Sequence, residues 1–237
     1  MTSITIIIPC FNEEKRLNTK LFENFSNQNN TISFLFVNDG STDLTVKTIN
    51  KILSNTKNNS IYNLEKNSGK GEAVRSGMLE AYNKNNSELI GFWDADLATP
   101  LEEILEYHRI YSNNSYSMIS GSRINMLGRI INRTFFRHYL SRIFATIASL
   151  ILKMNIYDSQ CGAKLFDRRC VISAFSKPFH TRWLFDLEIF FRLKNNQIYE
   201  KPLERWKDIK NSKISILEMF FKIPYDLIKI IYYYKIK

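Results

Sequence analysis

Cysteine is scarce. The 237-residue chain has three, Cys10, Cys161 and Cys170, an odd number with no CxxC pair, which supports neither a disulfide framework nor a zinc site and fits a reducing cytosol. Eight glycines and five prolines are too few for a fibrous or low-complexity chain. Long apolar runs are missing too. Outside the first strand-like run, the longest run that is both uncharged and mainly apolar is Ile143 to Leu152, which would extend only about 15 Å as a helix, half the hydrocarbon thickness. No basic region and cleavage site precede the apolar run Ile4 to Ile8, so no signal for export is expected. Helix-turn-helix, zinc-finger and RNP signatures are absent, which leaves a nucleic-acid-binding module only a distant alternative.

What is present is 44% hydrophobic residues, with aromatics making up 14% of the chain, and a formal charge of +10. That composition specifies one globular core with a tail, and the charge means that some face attracts anions. Short β-branched or aromatic runs, Ile4–Ile8, Ile32–Val37, Ile61–Leu64 and Leu89–Trp93, alternate with helical spacing over Glu13–Asn27, Asp43–Ser54, Lys70–Asn83 and Leu101–Tyr111. This rhythm predicts parallel βαβ units. Polar clusters follow three of the four strands: Asn12-Glu13-Glu14, Asn38-Asp39-Gly40 and Asp94-Ala95-Asp96. In sheets of this kind ligands bind beyond the carboxyl ends of the strands. A further strand is expected at Ser117–Ser120, then a long basic amphipathic stretch over Arg129–Lys153, the segment Cys161–Arg168, a helix near Phe185–Lys194, and Gln197–Trp206.

Two carboxylates flanking a small residue at a strand end, Asp94 and Asp96, offer the oxygen ligands that Mg²⁺ or Mn²⁺ shares with phosphates. The bland alternative for such a pair is a helix cap. Asp39, before a glycine turn, is placed to accept hydrogen bonds from a nucleobase or ribose, or else to shape the turn. Asn67-Ser68-Gly69-Lys70-Gly71 opens a helix where amides and Lys70 can meet an anion, but it lacks the Walker spacing.

Taken in order, Ile8-Pro9-Cys10-Phe11-Asn12-Glu13-Glu14, Val37-Asn38-Asp39-Gly40-Ser41-Thr42-Asp43, Asn67-Ser68-Gly69-Lys70-Gly71, Asp94-Ala95-Asp96 and Gly121-Ser122-Arg123 resemble the family 2 glycosyltransferases of GT-A fold. In the second half, Arg133-Thr134-Phe135-Phe136-Arg137, Asp158 to Phe166 and Arg182-Trp183-Leu184-Phe185-Asp186-Leu187-Glu188 look like the dolichyl-phosphate β-glucosyltransferases. The resemblance implies an α/β, Rossmann-like nucleotide-diphospho-sugar transferase fold with a mixed, mainly parallel sheet between helices. It places a catalytic domain at 1–212 and an amphipathic tail at 213–237. It further implies that Pro9, Asn12, Glu13, Asp39, Lys70 and Asp94 bind the nucleotide, that Asp94 and Asp96 hold Mg²⁺ or Mn²⁺, and that the donor is UDP-glucose. Two departures stand out: Leu97 where that group commonly has Gly, and Ala98 where related mannosyltransferases have a further ligand, Gln.

The implied reaction is an inverting displacement at the anomeric carbon. A polyprenyl phosphate acceptor is already anionic and needs positioning above all, whereas a saccharide hydroxyl, the alternative acceptor, needs a base, for which Asp158 or Asp186 is the candidate, with Arg123 nearby. Asp186 is also readable as a buried carboxylate paired with Arg182 or a backbone amide, and Glu188 as structural. Arg129, Arg133 and Arg137, spaced by four, would share one helical face suited to the acceptor phosphate or to a lipid surface. The tail interleaves Met219, Phe220, Ile223, Leu227, Ile230 and Ile231 with Lys222, Lys229, Lys235 and Lys237. That pattern fits either a membrane-interfacial segment or a helix packed on the core, with Pro224 expected to kink it. The expected location is cytoplasmic, peripheral to the cytoplasmic membrane face.

Overall fold

The computed structural model describes residues 2–84, 86–132, 135–207 and 216–236, without the side chains of 135–138, 140, 216–221 and 235–236. Its centre is a seven-stranded sheet in the order β3-β2-β1-β4-β7-β5-β8. The strands are β1 (Ile4–Cys10), β2 (Ile32–Asp39), β3 (Ser60–Leu64), β4 (Leu89–Trp93), β5 (Met118–Ser122), β7 (Ala163–Asp167) and β8 (Ile198–Pro202). All five strands expected in the first half are present, four of them shifted or lengthened by one or two residues at an end. Pairing is parallel except along β7, which runs antiparallel to both β4 and β5.

Side-chain alternation along the strands divides the core between the two faces of the sheet. On one, Ile7, Val37, Ile90, Phe92 and Phe166 pack under α3 (Lys70–Lys84), α6 (Arg168–Phe175) and α7 (Phe185–Arg192). On the other, Ile4, Ile6, Ile8, Phe34, Phe36, Trp93 and Leu165 meet α1 (Thr19–Gln28), α2 (Thr45–Ser54) and α4 (Glu103–Asn114). Helix α3 lies unusually close to the sheet. A Cβ on Gly77 would stand 2.5 Å from Ile7 and 2.7 Å from Val37, so only glycine permits this approach, which brings the start of α3 up to the ends of β1 and β2.

The expected helix Glu13–Asn27 begins later, at Thr19, where the Asn18 side chain caps it by accepting from the Leu21 amide at 3.2 Å. Residues 13–17 form a turn instead, because the Glu13 amide donates to Thr45 Oγ1 at 2.7 Å and ties the turn to the start of α2.

The basic stretch also departs from expectation. Ile130–Asn132 is a short strand, β6, paired in parallel with β9 (Arg205–Lys207), and the helix α5 starts only at Phe135 and runs to Leu152. Arg129 therefore does not share a helical face with Arg133 and Arg137. It precedes the strand and pairs with Glu204 at 3.5 Å. Arg133 and the Arg137 side chain lie outside the described residues.

The last helix, α8 (Ile216–Ile231), runs through Pro224 into a π-helical turn, Tyr232–Ile236. It packs on the core through Leu227 and Ile230 while leaving Tyr225, Ile228 and Tyr232 exposed. Helix α5 likewise turns Tyr139, Ile143, Ile147 and Leu150 outward. Their spacing puts the four on one side of the helix. Among the described residues, no helix is long and apolar enough to cross a membrane.

Candidate active site

Strand order reverses beside β1, whose neighbours are β2 and β4, and the carboxyl ends of these strands open a crevice there. Two turns line one wall. Asn12, in the left-handed region at φ 51, accepts from the Thr42 amide at 2.9 Å and donates its own amide to Ser41 Oγ at 3.0 Å. Asparagine adopts this conformation more readily than most residues. Pro9, one residue before the end of β1, lies opposite Val37 and is half-buried.

Glu13 is buried and its carboxylate grips the Arg16 guanidinium in two bonds, of 2.7 and 2.5 Å. Asp39, also buried, accepts from the amides of Ser68 at 2.7 Å and Gly69 at 2.9 Å. Its carboxylate thus fixes the glycine loop that opens α3. The loop in turn presents Lys70, whose ammonium lies 2.5 Å from Asp94 Oδ1. Burial works against that ammonium, but Asp94, then Asp186, outweigh it and hold its proton above the ordinary lysine value.

Asp94 and Asp96 leave the end of β4. The Asp94 amide donates to the Gly162 carbonyl at 3.1 Å, and the Asp96 carboxylate accepts from the Ala98 amide at 3.1 Å. Burial, then the neighbouring Asp94, push the Asp96 carboxyl above its usual range. Two crowded carboxylates of this kind are the donor set that a hard divalent cation relieves. Among the described residues, no three His, Cys, Asp or Glu gather into a metal-binding group, so the pair fits an ion that completes its shell with phosphate oxygens and water. Leu97, between the pair and Ala98, has φ 54. It adopts the conformation that a glycine at this position takes without strain.

Sequence reasoning paired Asp158 and Asp186 as equivalent candidates, and the structure separates them. Asp158 is buried, and both its oxygens are engaged twice. Oδ2 accepts from the Arg123 amide and Nε at 3.1 and 2.6 Å, while Oδ1 accepts from Arg123 Nη2 at 2.7 Å and the Gln160 amide at 3.2 Å. With four acceptor positions filled, this carboxylate would have to give up one of these bonds to take a substrate proton. Arg123 is equally committed, its proton held more tightly than usual by Asp158 despite burial.

Asp186 is buried at the start of α7, with Oδ1 2.6 Å from the ammonium of Lys164. Oδ2 has no hydrogen-bond partner among the described residues. Arg182, expected as a partner of Asp186, instead donates to Asn67 at 2.8 Å and covers Gly69. Glu188 is structural, as expected: it accepts from the His180 and Thr181 amides and from Tyr234.

Three residues not singled out by the sequence complete the site. Arg16 lies within electrostatic reach of both Asp94 and Asp96. Gly162 presses its Cα against the Asp94 carboxylate. Lys164 stands fully buried on β7. The signal for the last was there, a lysine inside an otherwise apolar run, Ala163-Lys164-Leu165-Phe166.

The geometry therefore offers one amide loop, fixed by Asp39, that presents a lysine, one carboxylate pair suited to a divalent cation, and one buried carboxylate with a free oxygen beside them. Comparisons with known proteins show which family the chain belongs to. A dolichyl-phosphate beta-glucosyltransferase of Trichomonas vaginalis is 32% identical over 246 residues, covering 98% of this chain and 71% of the relative. The human protein of that name is 28% identical over 245 residues, covering 95% and 74%.

Among solved structures, glucosyl-3-phosphoglycerate synthase from Mycobacterium tuberculosis, in complex with Mn²⁺, uridine diphosphate and glucosyl-3-phosphoglycerate, superimposes with a TM-score of 0.71 at 13% identity over 96% of this chain and 79% of that one. TarS of S. aureus gives 0.57 at 17%, over 86% and 59%. These likenesses establish the GT-A fold. The sequence model of glycosyl transferase family 2 matches residues 5–175, and the chain accordingly belongs to that family of glycosyltransferases.

Proposed function

We propose that this enzyme transfers glucose from UDP-glucose to a polyprenyl phosphate at a membrane surface, by a single inverting displacement assisted by Mg²⁺ or Mn²⁺. The observation that carries the donor side is the meeting of Lys70 with Asp94 at 2.5 Å, at the mouth of a loop whose amides are set by Asp39. Bound at Asp94 and Asp96, the cation would offset charge on the departing diphosphate. Lys70, held protonated by Asp94, is placed to meet the same oxygens. Glucose, and a prenyl phosphate as acceptor, are supported by the names of the relatives, and uridine diphosphate by the ligand of the structural neighbour.

The second ionisation of a phosphate monoester falls near pH 6, so at pH 7 such an acceptor is mostly a dianion. It needs little help in losing a proton, and Asp186, with one oxygen unengaged, serves to take the proton of the remaining monoanion. A saccharide hydroxyl would depend on that oxygen far more heavily.

For the lipid surface, the support is the outward stripe Tyr139, Ile143, Ile147 and Leu150 on α5, the exposed Leu127 and Ile130 just before it, and the net charge of +10. The outward face of the tail, with Tyr225, Ile228 and Tyr232, extends the same theme. This reading makes 213–237 an interfacial segment held on the catalytic domain.

The test is incubation with a panel of nucleotide sugars and a polyprenyl phosphate, with Mg²⁺ or Mn²⁺ or with chelator, followed by mass spectrometry of the lipid fraction. A hexosyl phospholipid formed from UDP-glucose and lost with chelator is expected. Transfer to saccharide hydroxyls only, abolished in Asp186→Asn, would replace the lipid acceptor by the alternative.

A further inference from the structure

Lys164 has no role in the reaction so far. It is 0% exposed, on the central antiparallel strand β7, opposite Phe92 of β4 and Ser120 of β5. All three ammonium protons are used: Nζ donates to the carbonyl of Ser159 at 3.1 Å, to the carbonyl of Cys161 at 2.6 Å and to Asp186 Oδ1 at 2.6 Å. Aromatic rings enclose it, with Phe92 at 5.4 Å and Phe190 at 5.9 Å from the nitrogen.

A buried ion pair in such surroundings gains little net stability over apolar residues of similar volume, because desolvation offsets the attraction. Stability alone therefore gives no reason for a lysine here. Its three partners do. Ser159 and Cys161 belong to the turn that carries Asp158 on one side and Gly162 on the other. Asp158 anchors Arg123. Gly162 accepts the Asp94 amide and abuts the Asp94 carboxylate. The third partner, Asp186, is the second residue of α7, whose first residue, Phe185, packs on Gly71, one residue beyond Lys70. One ammonium thus ties the carboxylate on the acceptor side to the turn that seats the carboxylate on the donor side.

We infer that Lys164 is a positioning residue for transfer. It holds the occupied oxygen of Asp186 so that the free one faces the reacting groups, and it fixes the distance between Asp186 and Asp94 by bonding to the turn behind Gly162. The inference rests on the proposed role of Asp186. Lysine suits the task because its protons point in three directions from one atom, which neither a neutral amide nor a planar guanidinium reproduces in the same volume.

The test is a cycle of Lys164→Met, Asp186→Asn and the double variant, with Lys164→Arg alongside, assayed for kcat and for KM of the nucleotide sugar. The double variant contains no unpaired buried charge, so it stays measurable even where Lys164→Met alone folds poorly. Expected are a fall in kcat of about tenfold or more for Lys164→Met, KM for the nucleotide sugar changed by less than about threefold, and a double variant no slower than the slower single one. Arginine should restore little.

Effects that multiply in the double variant, or a folded Lys164→Met with wild-type kcat, would overturn the inference while leaving the proposed transfer intact. The converse is distinguishable: a wild-type protein that hydrolyses UDP-glucose without glycosylating prenyl phosphate, with hydrolysis dependent on Lys164 and Asp186 together, retires the acceptor and keeps the positioning role.

Discussion

Gly162→Ala tests the donor side with the smallest change available. A Cβ at this position would stand 1.9 Å from Asp94 Oδ2, 2.3 Å from Cγ and 2.6 Å from Oδ1. Ordinary contact begins at 3.4 Å, so the carboxylate must retreat by about 1.5 Å, beyond the order of 1 Å at which misplacement costs roughly a hundredfold in rate. The Asp94 side chain is 35% accessible and has room to swing outward. The fold should therefore tolerate the methyl, with a stability loss of no more than about 1–3 kcal/mol.

What does not survive is the 2.5 Å contact with Lys70 and the joint geometry with Asp96. The expected result is a loss of kcat/KM of about 10² or more, equivalent to about 2.7 kcal/mol of transition-state stabilisation. Mn²⁺ binding, titrated calorimetrically in the presence of UDP, should weaken, and the cooperative thermal transition should remain. Wild-type kcat/KM together with wild-type Mn²⁺ affinity in a folded Gly162→Ala protein would refute the assignment of Asp94 to the metal and diphosphate.

Two further expectations concern stability and the membrane. Asp167, the N-cap of α6, accepts from Tyr111 at 2.6 Å and from the Arg169 amide at 2.8 Å. Burial opposes its ionisation, but the bonds from Arg169 and Tyr111 prevail and hold the carboxyl below its ordinary 3.8. Because the folded value is the lower one, the contribution is fully present above pH 3.8 and fades as pH falls through the folded value. In urea titrations, Asp167→Ala should cost about 1 kcal/mol at pH 6, with the gap from wild type narrowing below pH 4; a gap that widens with acid contradicts the assignment. On α5, Ile143→Glu with Leu150→Glu should weaken sedimentation with anionic vesicles about tenfold or more at little cost in thermal stability, since these side chains are 60% and 73% exposed. Unchanged vesicle binding would remove α5 from the membrane face.

The first half of the molecule was legible because its signals are local. The strands are short, mainly apolar runs, three of the first four are followed by a polar cluster, and the parallel order brings those clusters to one rim. The second half depends on contacts between distant segments. The four-residue spacing of Arg129, Arg133 and Arg137 implies one face only if the backbone is helical throughout, and Ile130–Asn132 instead finds a strand partner more than seventy positions later, at Arg205–Lys207. The sequence offers Arg182 or a backbone amide as partner for a buried Asp186, whereas the actual cation is Lys164, 22 positions away. Asp158 and Asp186 looked alike because a sequence shows carboxylates and not the number of bonds each one has already accepted.

Strand β7 runs against its neighbours, so its first residues, rather than its last, lie at the rim where β1, β2 and β4 end. Chain length before this strand is consequently constrained in a way that the surface turns are not. Lys164 and Phe166 face one side of the sheet, Ala163 and Leu165 the other. Inserting or deleting one residue within β7 would exchange the two sets, turn the ammonium away from Asp186 and place a leucine beside it. Insertions in this enzyme should therefore be tolerated at outer loops such as 55–59 and 115–117, while the interval between Asp158 and Lys164 keeps a fixed count.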